Sequence, residues 1–283
     1  MVGRPSLVTR AGRAAVRKPV HFLAGLGEQL TFGMRALGSI PLTLRSYPNE
    51  VLRLLGDICW GSGAIVVGGG TIGVMVLLAV FTGASLGVEG FNALDILGLS
   101  PLTGFVSAYG NTREIAPLVA AVAFASQAGC RYTAQLGAMR ISEEIDALES
   151  MAVRPLPYLV TTRMLAAFIS IIPLYLIGLA GNYLATQLVL DVGYGQSKGT
   201  YLHYFHVFLV PIDVFWSVLK AVVFVVIATL IHCYYGYFAS GGPQGVGAAS
   251  GRAIRNSIIA IVVMDMLMTL AIWGFDPGIR ISG

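Results

Sequence analysis

Charged side chains are scarce in this sequence. Asp, Glu, Lys and Arg make up 11% of the 283 residues, where an ordinary soluble domain carries about 25%. The shortage excludes a normally solvated globular surface and leaves a chain that is 56% hydrophobic, with mean hydropathy +0.77. Other absences narrow the chemistry. No G-x-x-x-x-G-K-[ST] occurs, so the loop that cradles nucleotide phosphates is missing and the chain is not expected to hydrolyse ATP. Cys59, Cys130 and Cys233 stand far apart in apolar stretches, which leaves no C-x-x-C metal or redox pair and makes them packing residues. No Ser/His/Asp or paired-carboxylate constellation is visible. His203 and His206 stand three apart, but in a Tyr- and Phe-rich stretch that reads as an interfacial aromatic belt rather than a metal site. The basic N-terminus is not followed by a short apolar run and a small-residue cleavage site, so no signal peptide is expected. Thirty-five glycines follow no G-X-Y period and form no polar tract, which excludes collagen and disorder. A polytopic membrane protein is what remains.

A helix needs about 20 apolar residues to cross a bilayer core. Five segments qualify: Ile58 to Val88, Ile115 to Cys130 extended to Met139, Met164 to Leu190, Ala221 to Gly251, and Asn256 to Phe275. With the N-terminus inside, the cytoplasmic segments 1–57, 131–163 and 240–255 carry fourteen Lys and Arg residues, against two in the external segments 89–114 and 191–206. Basic residues stay on the cytoplasmic side, so the expected orientation is N-terminus in and C-terminus out. The boundaries divide the chain into a cytoplasmic and interfacial segment 1–57, a membrane domain 58–275 and a short external tail 276–283.

Before the first span, Val16, Val20, Leu23, Leu30, Met34 and Leu37 draw an apolar stripe at helical spacing, with Arg13, Arg17, Lys18 and Arg35 around it. Such a basic amphipathic helix lies in the inner membrane interface or packs on a soluble partner. The net charge of +4, with five basic residues in the first 18 positions, suits a membrane anchor rather than nucleic acid. In the first span, Gly61, Gly63, Gly68, Gly69, Gly70 and Gly73 permit either close helix packing or a bend lining a lipid-sized cavity.

The loop between the second and third spans is the most informative stretch. Ile141, Ile145, Leu148 and Ala152 form an apolar ridge, and Glu143, Glu144, Asp146 and Glu149 fill the other faces, with Met139 and Arg140 leading in. Ser142 is expected to cap this helix, and Pro155 and Pro157 to stop it. A short helix with an apolar ridge and acidic flanks suits docking into a groove on a soluble partner. The alternative is a surface-lying helix with a solvated acidic face.

These residues also carry a likeness. Arg113-Glu114-Ile115-Ala116-Pro117, Ala128-Gly129, Ala134-Gln135-Leu136-Gly137-Ala138-Met139-Arg140, Glu144-Ile145-Asp146-Ala147-Leu148 and Met151-Ala152-Val153-Arg154-Pro155 resemble the signature of the MlaE/YrbE permeases. Over roughly 20–275 the resemblance continues through Leu219 to Phe224, Tyr235-Gly236-Tyr237 and Asp265. It implies an all-α integral membrane protein: an interfacial amphipathic helix, five transmembrane helices, and a coupling helix between spans two and three that docks on an ATPase. It further implies a lipid cavity between two permeases in the inner membrane, a cytoplasmic ABC ATPase dimer that binds the ATP and Mg, no cofactor on this chain, and extracytoplasmic MCE-domain partners. The chain is most similar to the YrbE subunits of actinobacterial Mce systems, which implies import of fatty or mycolic acids, with sterol as the alternative cargo. Gln135 stands where that pattern has Glu, so any carboxylate role belongs to a paralogous partner, and a heterodimer is expected.

Within the spans, Lys220 and Asp265 are the ionisable residues to explain. An ionised group costs several kcal/mol in an apolar helix unless paired or wet. They either serve transport or form a structural pair. Asp213 is expected to be solvated near the outer interface. A secondary transporter using Lys220 and Asp265 as a proton relay is the competing class, though five spans do not divide into inverted repeats.

Overall fold

The computed structural model describes residues 24–60 and 70–274. Val16, Val20, Leu23, Arg13, Arg17, Lys18, Gly61, Gly63, Gly68, Gly69 and the tail 276–283 lie outside the described residues. Everything regular among those described is helical.

Residues 24–38 form α1, followed by α2 (Ile40–Ser46) and α3 (Pro48–Trp60). Proline at the start of α2 and α3 sets each helix off in a new direction, since it is tolerated only in the first turn. The continuation of the apolar stripe is as expected on α1: Leu30, Met34 and Leu37 are exposed, while Phe32 and Ala36 face the core.

The long α4 (Gly70–Asp95) lies chiefly against α9 (Thr162–Leu188). Its buried ridge is Thr71, Met75, Ala79, Gly83, Gly87 and Gly90, so the inward face narrows along the helix. Glycine is required at Gly83, where a Cβ would come 2.3 Å from the Asn182 carbonyl oxygen. At this close approach the Thr186 hydroxyl donates to the Gly83 carbonyl at 2.7 Å. Small residues and a short interhelical hydrogen bond are how helices associate where lipid removes the hydrophobic drive.

A continuous helical run follows: α5 (Thr103–Val106), a π segment (Ser107–Ile115), α6 (Ala116–Phe124), a second π segment (Ala125–Gly129) and α7 (Cys130–Ile141). After a turn comes α8 (Glu144–Ser150), then α9 flanked by π segments Leu156–Thr161 and Val189–Gly193, then α10 (Lys198–Phe208). The Ser197 side chain caps α10 by accepting from the Thr200 amide. Finally α11 (Pro211–Tyr237) packs on α7, α9 and α12 (Gly242–Trp273).

Among the described residues, four helical stretches are long and apolar enough to cross a membrane: Gly70–Asp95, Leu156–Gly193, Pro211–Tyr237 and Gly242–Trp273. The stretch expected as the second span lies in the α5–α7 run, at the centre of the bundle between α4, α11 and α12. Outward faces of the bundle are apolar: Phe81, Leu184 and Met266 are each about two-thirds exposed. An apolar exterior of this extent marks a membrane or protein contact.

Two span limits differ from expectation. The first charge-free run began at Ile58, but Ile58 belongs to the amphipathic α3, and α4 extends past Val88 through Glu89 to Asp95. The fourth run, Ala221 to Gly251, is broken by a turn. Gly241 and Gly242 both adopt positive φ, 90° and 70°, and Pro243 sits in the first turn of α12. Absence of charge marks solubility in lipid, whereas backbone stereochemistry decides where a helix stops.

At the core of the bundle His232 ties three helices together. Its Nδ1 lies 2.8 Å from the Thr133 hydroxyl and its Nε2 3.3 Å from the Ser257 hydroxyl. Gly129 makes room for the ring, since a Cβ there would come 2.7 Å from it.

Candidate functional site

The densest polar arrangement joins the first π segment to α11 and α12. Lys220 is fully buried, and its Nζ lies 2.7 Å from Asp265 Oδ1 and 3.3 Å from Glu114 Oε2. It also donates to the Arg113 carbonyl at 2.6 Å and to the Thr269 hydroxyl at 2.9 Å. Thr269 in turn donates to Glu114 Oε1 at 2.8 Å. One position earlier, Arg113 donates through Nε and Nη2 to Asp213 Oδ2 at 3.0 and 2.8 Å, and Tyr109 lies against the guanidinium. The Trp273 indole donates to the other Asp213 oxygen at 2.9 Å. Adjacent residues of a π segment thus bind the same helix, α11, through opposite charges, seven residues apart on its surface. A π segment offsets the side chains that follow it, which suits the convergence of polar groups found at such places.

The two residues expected as intramembrane candidates, Lys220 and Asp265, are therefore brought together as a direct ion pair. Asp213, expected to be solvated, is buried and paired with Arg113. Sequence reasoning placed Arg113 and Glu114 in an external loop. The signal available was the Arg113-Glu114 dipeptide immediately before a long apolar stretch. Two cations and three carboxylates share the cluster, and Glu114 is its most exposed acid at 41%. Buried charge of this kind persists only when paired, and the pairing holds the π segment, α11 and α12 in one register. Gln135 does not belong to this cluster: it is exposed on α7 and accepts from Arg163 Nη2 at 3.4 Å.

The acidic helix lies between α7 and the π segment preceding α9, held by its own apolar residue. Ile145 is fully buried in the main core and Leu148 packs against it. Of the expected ridge, Ile145 and Leu148 therefore face this chain, while Ile141 and Ala152 are exposed. What α8 offers outward is Glu143, Glu144, Asp146, Ala147 and Glu149, with Ile141 and Met151 exposed at either end. Met139 is partly buried against the core, and Arg140 donates to Asp146 at 2.7 Å across the turn. Ser142 does not cap α8. Its hydroxyl donates back to the Ala138 carbonyl at 3.0 Å and to Glu144 at 2.9 Å, and Glu143 takes the N-cap position at φ 60°. The reason is continuity: α7 runs through to Ile141, so the hydroxyl meets free carbonyls of the preceding helix before the amides of the next. A non-glycine residue in the left-handed region fixes the angle at which α8 leaves α7.

The family model described as Permease MlaE matches residues 62–271. A probable ABC transporter permease protein of Rickettsia felis is 30% identical over 260 residues, covering 89% of this chain and 94% of the relative. TRIGALACTOSYLDIACYLGLYCEROL 1 of the Arabidopsis thaliana chloroplast is 29% identical, over 77% of this chain and 64% of its own. The intermembrane phospholipid transport system permease protein MlaE of Haemophilus influenzae is 26% identical, over 90% of this chain and 98% of that protein. The Permease MlaE model covers residues 62–271, most of the chain, and this protein belongs to the MlaE permease family.

Proposed function

We propose that this chain is the membrane permease subunit of an ATP-driven lipid transporter and contributes conformational change rather than catalysis. The observation that carries the reading is α8. It is anchored through the buried Ile145 and offers acidic groups outward, so a push on its exposed face is delivered to the core rather than absorbed by the loop. A soluble ATPase dimer, which would bind the ATP and Mg, is the partner proposed for that face. α7, joined to α8 through the turn at Ser142 and Glu143, carries Thr133 to His232, and α11 and α12 meet there and again at the Lys220 cluster. Movement of α8 would then shift these helices together and reshape a lipid cavity between two permeases.

The finer assignments rest on resemblance. They are a paralogous YrbE-type second permease in a heterodimer, extracytoplasmic MCE-domain proteins, inward transport of fatty or mycolic acids, and an inner-membrane location with the N-terminus in the cytoplasm. One relative is named for phospholipid transport, and an apolar cavity discriminates poorly among acyl chains. A proton-relay secondary transporter is the weaker reading. The fourfold contacts of Lys220 with Asp265, Glu114, Thr269 and the Arg113 carbonyl suit a fixed joint better than a shuttle.

The test is co-purification of the chain with a soluble ATPase, followed by ATP-dependent lipid transfer in reconstituted vesicles. Transfer driven by a pH gradient without ATP would overturn the reading.

A further inference from the structure

A cleft of about 1030 Å³ opens between α1, the segment after α8 and the end of α11. It lies apart from the ionic joint and shares only Glu149 with the outward face of α8. Its floor is aromatic: Phe32 lies 5.6 Å from the Tyr234 ring and 5.9 Å from Phe238, with Tyr237 5.1 Å from Phe238. Its walls carry four charges, Glu28 and Arg35 from α1, Glu149 at the end of α8, and Arg154 in the segment that follows. Among the described residues none of the four is in an ion pair, and Arg35 and Arg154 make no side-chain hydrogen bond. Glu28 accepts from the Tyr234 hydroxyl at 3.2 Å, which leaves it a second oxygen.

Two cations and two anions around one cleft would pair with each other if their purpose were to hold the walls together. Left apart over an aromatic floor, they complement a ligand that carries both signs. Guanidinium groups bind phosphate through directed charge-assisted bonds. Carboxylates bind an ammonium, and aromatic faces stabilise one lying over them. Exposed Leu26, Leu30, Met34 and Leu37 on α1 set the same helix at the depth of lipid headgroups. The volume exceeds a headgroup alone and suits one joined to the first part of its acyl chains.

We propose that this cleft binds the zwitterionic headgroup of an aminophospholipid in the inner leaflet, Arg35 and Arg154 taking the phosphate and Glu28 and Glu149 the ammonium. The site rests on the membrane placement given above and lies apart from the Lys220 cluster. It would seat α1 and the segment after α8 on the leaflet.

The test uses the assembled complex purified in detergent and re-lipidated with equal amounts of phosphatidylethanolamine and phosphatidylglycerol of matched chain length. Bound lipid is counted by native mass spectrometry, with melting temperature as the folding control. Wild type should retain phosphatidylethanolamine over phosphatidylglycerol. The variant R35Q/R154Q should lower that retention about tenfold, the scale of losing charge-assisted bonds to phosphate. E28Q/E149Q should remove the preference while leaving phosphatidylglycerol bound. All four side chains are exposed, and the single substitutions serve if a double fails to assemble. Wild-type retention in R35Q/R154Q, or equal retention of the two lipids by wild type, would overturn the proposal. So would full displacement by an equal concentration of glycerophosphoethanolamine, which would assign the cleft to a soluble headgroup, or absence of lipid whenever the ATPase is bound, which would assign it to that partner. Binding is read without transport, so failure of this site and failure of the transporter reading are separate results.

Discussion

The Lys220 ammonium sits 2.7 Å from Asp265 Oδ1, between α11 and α12, on a side chain with no exposure to solvent. Glu114 supplies a second carboxylate at 3.3 Å, from a residue 41% exposed. The lysine therefore has two anionic partners of unequal burial, while Asp265 has one cationic partner. This asymmetry orders the effects of substitution.

Lys220→Met should be the most damaging single change, because it strands the buried Asp265. A loss of about 3–5 kcal/mol is the usual scale for breaking a buried pair. Asp265→Asn should cost less, since Glu114 still faces the ammonium. The double variant should recover much of the Lys220→Met loss. Melting temperature and complex yield in detergent for the two singles and the double decide this. If the two singles lose equal stability and the double loses their sum, the residues do not act as a pair.

Asp213→Asn should weaken the neighbouring joint less than Arg113→Leu. Asparagine keeps one acceptor oxygen, for either the Trp273 indole or the guanidinium, whereas leucine leaves Asp213 buried with the indole alone. About 3 kcal/mol or more is expected for Arg113→Leu. Equal melting temperatures for the two variants would contradict the pairing.

Gly83→Ala should force α4 from α9, because its Cβ would fall 2.3 Å from the Asn182 carbonyl oxygen. Overpacking of this kind costs about 1–3 kcal/mol. Gly87→Ala, where the nearest atoms are at 3.3 Å, should cost less. Gly178→Ala meets only the Ala79 methyl at 3.8 Å and should be neutral. A thermal melt of the three variants that failed to rank them in this order would count against the packing described here.

Ile145→Ala should destabilise the chain itself, by about 2–5 kcal/mol, because the side chain is fully buried. Ala147→Arg and Met151→Glu, on the exposed side, should leave the melting temperature unchanged and release a co-purifying ATPase. Retention of the ATPase by both exposed variants would remove α8 from the proposed interface.

Topology can be read with cysteines at two exposed positions in a background where Cys59, Cys130 and Cys233 are replaced by alanine. Ser142→Cys should be protected from an impermeant thiol reagent in intact spheroplasts, and Ser197→Cys should be labelled. Labelling of both on the same side would reverse or break the proposed order of spans.

What could be read along the chain alone is local. Composition and run length identified apolar helices, because burial in lipid is decided residue by residue over about 20 positions. The apolar stripe at Leu30, Met34 and Leu37 was visible because helical period is a property of neighbours. The acidic residues of α8 and the family resemblance were legible for the same reason, since both lie in contiguous stretches. Even the break before α12 was written in Gly241-Gly242-Pro243, although a charge-free run passed over it. Which residues of α8 are buried is a matter of packing, because periodicity marks an apolar ridge without saying whose surface receives it. Packing alone joined Arg113 to Asp213 and Lys220 to Glu114, residues 100 and 106 positions apart. Contacts at that separation are set by how helices cross, and a π segment that re-aims two consecutive side chains leaves no mark in composition or charge.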